Sequence, residues 1–185
     1  MRNLIIAVSI LLLLSGCGPS KEEQSDELYK QAWEHYKSGD FNSAVEVFEK
    51  SLELDESPGV RTKLSEVKNE IAFVKELSIS LNKLEKLNHK LLNTVQSDDE
   101  LRITDEIELL LRDFEVLNPP SGTEIIDVVL TIQTNVFDLR GYCVSFASAV
   151  LSGVGDHSER KENLYNELES FLSKNKIPDF YKQIT

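Results

Sequence analysis

Lysine and arginine are scarce in this chain: 20 of them stand against 32 aspartates and glutamates, a formal net charge of -12. Nucleic acid and anionic lipid surfaces both reward clustered cations, so neither is an expected partner. Glycine, with 8, and proline, with 5, are rare, and the prolines fall at breaks, which leaves long stretches free to be helical. There is no glycine-rich phosphate loop and no nucleophile elbow. The histidines, His35, His89 and His157, fall on three different expected helices without Cys or Glu at ligand spacing. His157-Ser158-Glu159 is no triad, since neighbours at a helix start point different ways and read as capping. The acids between Asp98 and Glu108 lack the glycine and alternating ligands of a calcium loop. These gaps exclude the common enzyme classes, so no catalytic residue, cofactor, metal or small-molecule substrate is expected.

Long apolar runs are also missing, with one exception at the start. Leu4 to Leu14 is an eleven-residue run preceded by Arg2 and followed by Ser15, Gly16 and Cys17. At about 1.5 Å per residue it is too short for a hydrocarbon core about 30 Å thick, so it reads as a signal peptide over 1–16 that is removed. Leu14-Ser15-Gly16-Cys17 resembles the lipobox of bacterial lipoproteins. That resemblance implies diacylglycerol on the Cys17 thiol, cleavage before it, and a further acyl chain such as palmitate on the new amino terminus. Several acyl chains together would hold the protein on the membrane, where one chain would not. The outer face of a Gram-positive cytoplasmic membrane is the preferred location, with a Gram-negative outer membrane as the alternative. Loss of 1–16 removes Arg2, its only charge, and takes the net charge from -12 to -13. With Cys17 acylated, Cys143 has no partner for an internal disulfide, and it is expected to be a small core residue.

Beyond the anchor, residues 17–25 read as a polar tether. Apolar residues then recur at intervals of three and four, which predicts an all-α fold. A first helix is expected from Asp26 to about Ser38, capped by Ser25 and closed by Gly39, and a second from Asp40 to about Asp55. Ser57-Pro58 opens a third helix whose stripe is Val60, Leu64, Val67, Ile71, Val74, Leu77, Leu81, Leu84, Leu91 and Val95, with Asn88 standing where an apolar residue was due. A bend is expected near Ser78 to Ser80. Ser97-Asp98-Asp99-Glu100 and Ser121-Gly122-Thr123-Glu124 have the spacing of capping boxes, and Asp156 with Glu159 is a third cap-like start. They open a fourth helix, a fifth along Ile125 to Val150, and a sixth bearing Leu164, Leu168, Phe171 and Leu172. Short loops imply antiparallel neighbours. The expected organisation is a helical hairpin over 26–56, an antiparallel bundle of about four helices over 57–175, and a tail over 176–185 folded back on it.

Leu28, Ala32, Gly39-Asp40-Phe41, Ala44, Phe48 and Leu52 stand at the spacing of one tetratricopeptide repeat, which this hairpin resembles. Gln31, His35 and Ser51 depart from the pattern, Pro58 comes two places late, and no second copy follows. A single repeat cannot bury its own face, so another part of the chain must cover it. The resemblance implies a concave surface on the first helix that takes a peptide. Tyr29, Trp33 and Tyr36 would carry it, with Lys37 at its edge. For the same aromatics, packing as core against the third helix is the favoured reading, and the exposed groove is the alternative. The expected role is therefore a non-enzymatic, lipid-anchored docking or assembly module for a protein of unknown identity. The alternative is a structural lipoprotein forming a homo-oligomer through the third and fifth helices, with Leu81, Leu84 or Val136 between protomers.

Overall fold

The computed structural model describes residues 18–153 and 157–185. Cys17 and the signal segment 1–16 lie outside them, as does Asp156. Among the described residues the chain is all-helical, with six α-helices and no strand. They are α1 (Lys21–Lys37), α2 (Phe41–Leu54), α3 (Pro58–Asn93), α4 (Ser97–Glu115), α5 (Ile125–Ser152) and α6 (Ser158–Lys174), followed by a 3-10 turn, Asp179–Tyr181. No helix among the described residues is long and apolar enough to cross a membrane. The chain forms two compact units divided between Lys68 and Asn69, inside α3 and not at Ser57.

The first unit holds the hairpin and the opening residues of α3. Helix α1 starts five residues before the expected Asp26, because Ser20 and Glu23 form a reciprocal capping box. The Glu23 amide donates to Ser20 Oγ at 3.1 Å, and the Ser20 amide donates to Glu23 Oε2 at 2.7 Å. The expected tether is thus helical from Lys21. Ser25, expected as the cap, is instead buried mid-helix: its hydroxyl donates to the Ser51 carbonyl at 3.0 Å, and Ser51 Oγ donates back to the Ser25 carbonyl at 2.9 Å. Gly39, at a φ of 79°, makes the left-handed step out of α1, and Asp40 Oδ1 accepts from the Ser43 amide to start α2. Ala32 and Ala44 are fully buried with Phe41 and Phe48, and small residues at these places let α1 and α2 pack closely. Val60, Leu64 and Val67 of α3 are buried within the same unit, and Lys68 Nζ reaches Glu49 on α2 at 2.7 Å.

The second unit is a four-helix bundle of residues 69–93 of α3 with α4, α5 and α6. Polar ties show the chain directions. Gln133 on α5 donates to the Leu117 carbonyl at 2.9 Å while Arg140, two turns on, meets Glu115 and Glu108 further back along α4, so α4 and α5 are antiparallel. Arg160 near the start of α6 donates to Ser145 near the end of α5, and Asn88 near the end of α3 donates to the Tyr165 carbonyl and Glu169 of α6. The core takes Val74, Leu77, Leu84 and Leu91 of α3, Ile103, Ile107, Leu111 and Phe114 of α4, Ile132, Val136, Cys143 and Phe146 of α5, and Leu164, Leu168 and Phe171 of α6. Burial pushes the Cys143 thiol up to about 12.

Four details of the bundle differ from expectation. Helix α3 runs unbroken through Ser78 to Ser80. Its buried stripe takes Glu70 and Leu87, while Ile71 is only half-buried and Val95 lies beyond the helix, 89% exposed. Neither Ser97 nor Ser121 caps a helix. Gln96 occupies the cap of α4 without a side-chain bond, which moves Glu100 one place along and turns it inward, and Thr123 Oγ1 donates back to the Pro120 carbonyl while Glu124 begins α5 uncapped. Leu81, Leu84 and Val136, proposed above as a contact between protomers, are consumed by this unit's own core. The tail does fold back: Tyr181 is fully buried, and its hydroxyl donates to Glu70 Oε1 at 2.5 Å.

Candidate functional site

Residues spaced four and three apart on a helix share a face, so Tyr29, Trp33 and Tyr36 form one stripe along α1. The hairpin turns Phe41 and Phe48 of α2 towards it. Five edge-to-face contacts join the rings: Tyr29 to Trp33 at 6.4 Å between centroids, Trp33 to Tyr36 at 5.1 Å, Tyr29 to Phe48 at 5.7 Å, Trp33 to Phe48 at 6.1 Å and Tyr36 to Phe41 at 5.5 Å. Such pairs place the positive ring edge on the negative ring face, and each contributes about 0.5–1.5 kcal/mol beyond burial. The two phenylalanines are fully inside, whereas Tyr29, Trp33 and Tyr36 are half-buried. They form the wall of a core and keep an outer edge in water.

Helix α3 bears on this stripe through a cation. Lys63 Nζ lies 5.6 Å from the centre of the Trp33 ring and 2.6 Å from Glu66 Oε2. Its hydrogen bond to Glu66 raises the lysine above its ordinary range, so the charge over the indole is held. Trp33 is thus neither free in an open groove nor sealed against α3. Lys37 belongs to a different environment: it is exposed and pairs with Glu34 at 2.8 Å, a surface contact of one helical turn. The structure brings Tyr29, Trp33 and Tyr36 together and leaves Lys37 outside the ring cluster. Lys63, on a different helix from Trp33, was missed because nothing in local periodicity couples the two.

Other polar groupings are structural ties. Glu100, almost fully buried, receives Lys161 Nζ at 2.8 Å and His157 Nε2 at 2.9 Å, and Lys161 also donates to the Thr94 carbonyl. His157 sits at the cap position of α6, yet its ring serves Glu100 and makes no capping bond. Within the bundle a concavity of about 360 Å³ is lined by Ser78, Asn82, Glu85, Glu169, Ser173, Asn175 and Lys176, with the apolar Leu81, Leu172 and Ile177 between them. No group of three or more His, Cys, Asp or Glu residues among the described residues is placed to hold a metal. Set against known proteins, the chain matches no family model, no curated protein and no solved structure.

Proposed function

We propose that this chain is a lipid-anchored, non-enzymatic docking module of a bacterial cell envelope, tethered through acylated Cys17 and presenting Tyr29, Trp33 and Tyr36 to a protein partner. The observation that carries the docking half is the state of Trp33. Large amphipathic aromatics that are rigidly packed along one edge and wet along the other lose little freedom on binding, which is how interface anchors work. The tetratricopeptide-like face of α1 would lay a peptide along that edge, with the Lys63 ammonium beside the indole. The anchoring half rests on the order of apolar run, small residues and Cys17 after Met1, together with an acidic body that has little electrostatic reason to adhere to anionic lipid.

Three variants test it. Cys17→Ala in the full chain is expected to abolish labelled palmitate incorporation and leave the precursor uncut; continued labelling would remove the lipoprotein reading. Trp33→Ala is expected to lose, and Lys37→Ala to keep, one and the same crosslinked partner on intact cells. Equal crosslinking by both would remove the α1 docking face.

A further inference from the structure

Among the described residues, helix α5 carries an apolar stripe on its outer side that no other element covers. Leu130, Phe137, Val144 and Leu151 are 54, 76, 55 and 73% exposed, and they recur at intervals of seven. Seven residues fall about 20° short of two full turns, so these side chains stand in one slowly drifting row. Four residues after each of the first three comes a smaller residue: Thr134, Gly141 and Ser148, all exposed. The four large side chains alone place on the order of 450 Å² of apolar surface in water, well into the range of the largest patch a monomer carries, which is often functional.

Gly141 is a second, independent sign. It lies in the middle of a 28-residue helix, where glycine is the poorest former after proline, and a Cβ built on it would meet nothing within 4 Å. Among the described residues nothing crowds this position, so none of them requires a glycine there. The open space would admit a close approach by another helix, since small residues let backbones come together.

The spacing defines what fits. A row of large residues seven apart, with smaller residues four places on, matches itself when a second copy is laid across it head to tail. Phe137 then falls on the partner's Ser148, Val144 on the partner's Gly141 and Leu151 on the partner's Thr134, each pair occurring twice about a two-fold axis between Tyr142 and Cys143. Covering the two hydroxyls strands no donor. Thr134 Oγ1 already donates to the Leu130 carbonyl of its own helix at 2.8 Å, and a serine at Ser148 can turn back on its helix in the same way. Charge agrees with this choice. Between Ile125 and Ser152 only Asp127, Asp138 and Arg140 are charged, in a chain that is 28% charged overall. This register puts Asp138 level with the partner's Ala147 and Arg140 level with the partner's Ser145, so no like charges of α5 itself are opposed. A membrane-surface helix would instead carry several Lys and Arg on its polar side. Two such stripes with their small residues bury about 1,000 Å² together, the lower bound for a specific interface.

We infer that the chain forms an antiparallel two-fold dimer through this face of α5, with Phe137, Val144 and Leu151 seated over Ser148, Gly141 and Thr134 of a second copy. This surface is separate from α1 and stands whether or not the docking reading holds.

The test uses the full chain in intact cells. Gly141→Cys puts a thiol close to the two-fold axis, while the native Cys143 is buried. Under a mild oxidant it is expected to give a disulfide-linked pair, with Glu162→Cys on the exposed side of α6 giving at least tenfold less. Adding Phe137→Glu to Gly141→Cys is expected to lower the linked fraction at least tenfold. The single variant Phe137→Glu should keep Cys143 unreactive towards maleimide, which shows that the bundle is intact. No linked product from Gly141→Cys, equal product from Glu162→Cys, or no effect of Phe137→Glu would each overturn the dimer. So would Phe137→Glu freeing a Cys17→Ala chain from membranes without changing the linked fraction, since the face would then meet lipid.

Discussion

Ser51 stands where the repeat pattern carries alanine, and the structure supplies the reason: its hydroxyl and that of Ser25 exchange hydrogen bonds with each other's backbone carbonyls and lie 2.9 Å apart. A buried hydroxyl that loses its partner costs roughly 1–3 kcal/mol, whereas removing both leaves little unpaired. Ser51→Ala is therefore expected to destabilise the first unit by about 1–2 kcal/mol, and adding Ser25→Ala to cost little more. Urea unfolding of the two single variants and the double would show it, and strict additivity would remove the account. Cys143 gives a second expectation at this scale. Burial is the main cause of its raised value of about 12, with the nearby Glu108 carboxylate adding to it, so the thiol should resist maleimide at neutral pH until the protein unfolds. The burial of Cys143 was legible in the sequence, whereas the pairing of the serines was not, because it depends on which residues the fold brings into contact.

Helix boundaries were legible where glycine or proline enforces them and were displaced where a capping spacing was the only sign. Gly39, Pro58 and Gly153 mark breaks as their conformational limits demand. The spacing at Ser97 to Glu100 had a stronger competitor, since burying Glu100 between Lys161 and His157 outweighs one capping bond worth about 1 kcal/mol. Removing one member of a buried pair leaves the other charge poorly compensated, at a cost of about 3 kcal/mol or more. Lys161→Met should accordingly destabilise the bundle by about 3 kcal/mol in denaturant, and Glu100→Leu added to it should restore part of that. The α4–α5 seam has a pH dependence. Hydrogen bonding from Arg112, then attraction to Arg112 and Arg140, holds Glu108 below its usual carboxylate range against the opposing effect of burial. A lowered folded-state value means that the stabilisation is complete above the unfolded value near 4.5 and disappears as pH falls through the folded one. Glu108→Gln should remove a shallow part of the acid limb, less than about 1 kcal/mol given its partial exposure, and pH-dependent urea unfolding of the variant beside the parent would reveal it.

For the whole molecule, a net charge of -12 means that like charges repel in the folded state more than in the expanded one. Raising salt from low concentration to about 0.5 M should therefore raise the thermal midpoint by a few degrees, and a fall would indicate that the surface ion pairs outweigh the repulsion. The sequence alone determined the all-helical class and most of the buried stripes, because periodicity and backbone limits act over a few residues. It also marked the aromatic row on α1, but rings spaced four and three apart suit both a core and a groove, so their half-buried state was undetermined. Only the tertiary structure decided which polar residues go inside and with whom. Ser25 meets Ser51, Asn88 meets Glu169, Glu100 meets Lys161 and Glu70 meets Tyr181, at sequence separations from 26 to 111 residues. It also decided that the two units divide within α3. The physical reason is the same throughout: a polar side chain can be buried only where a distant segment arrives to satisfy it, and no local pattern records that arrival.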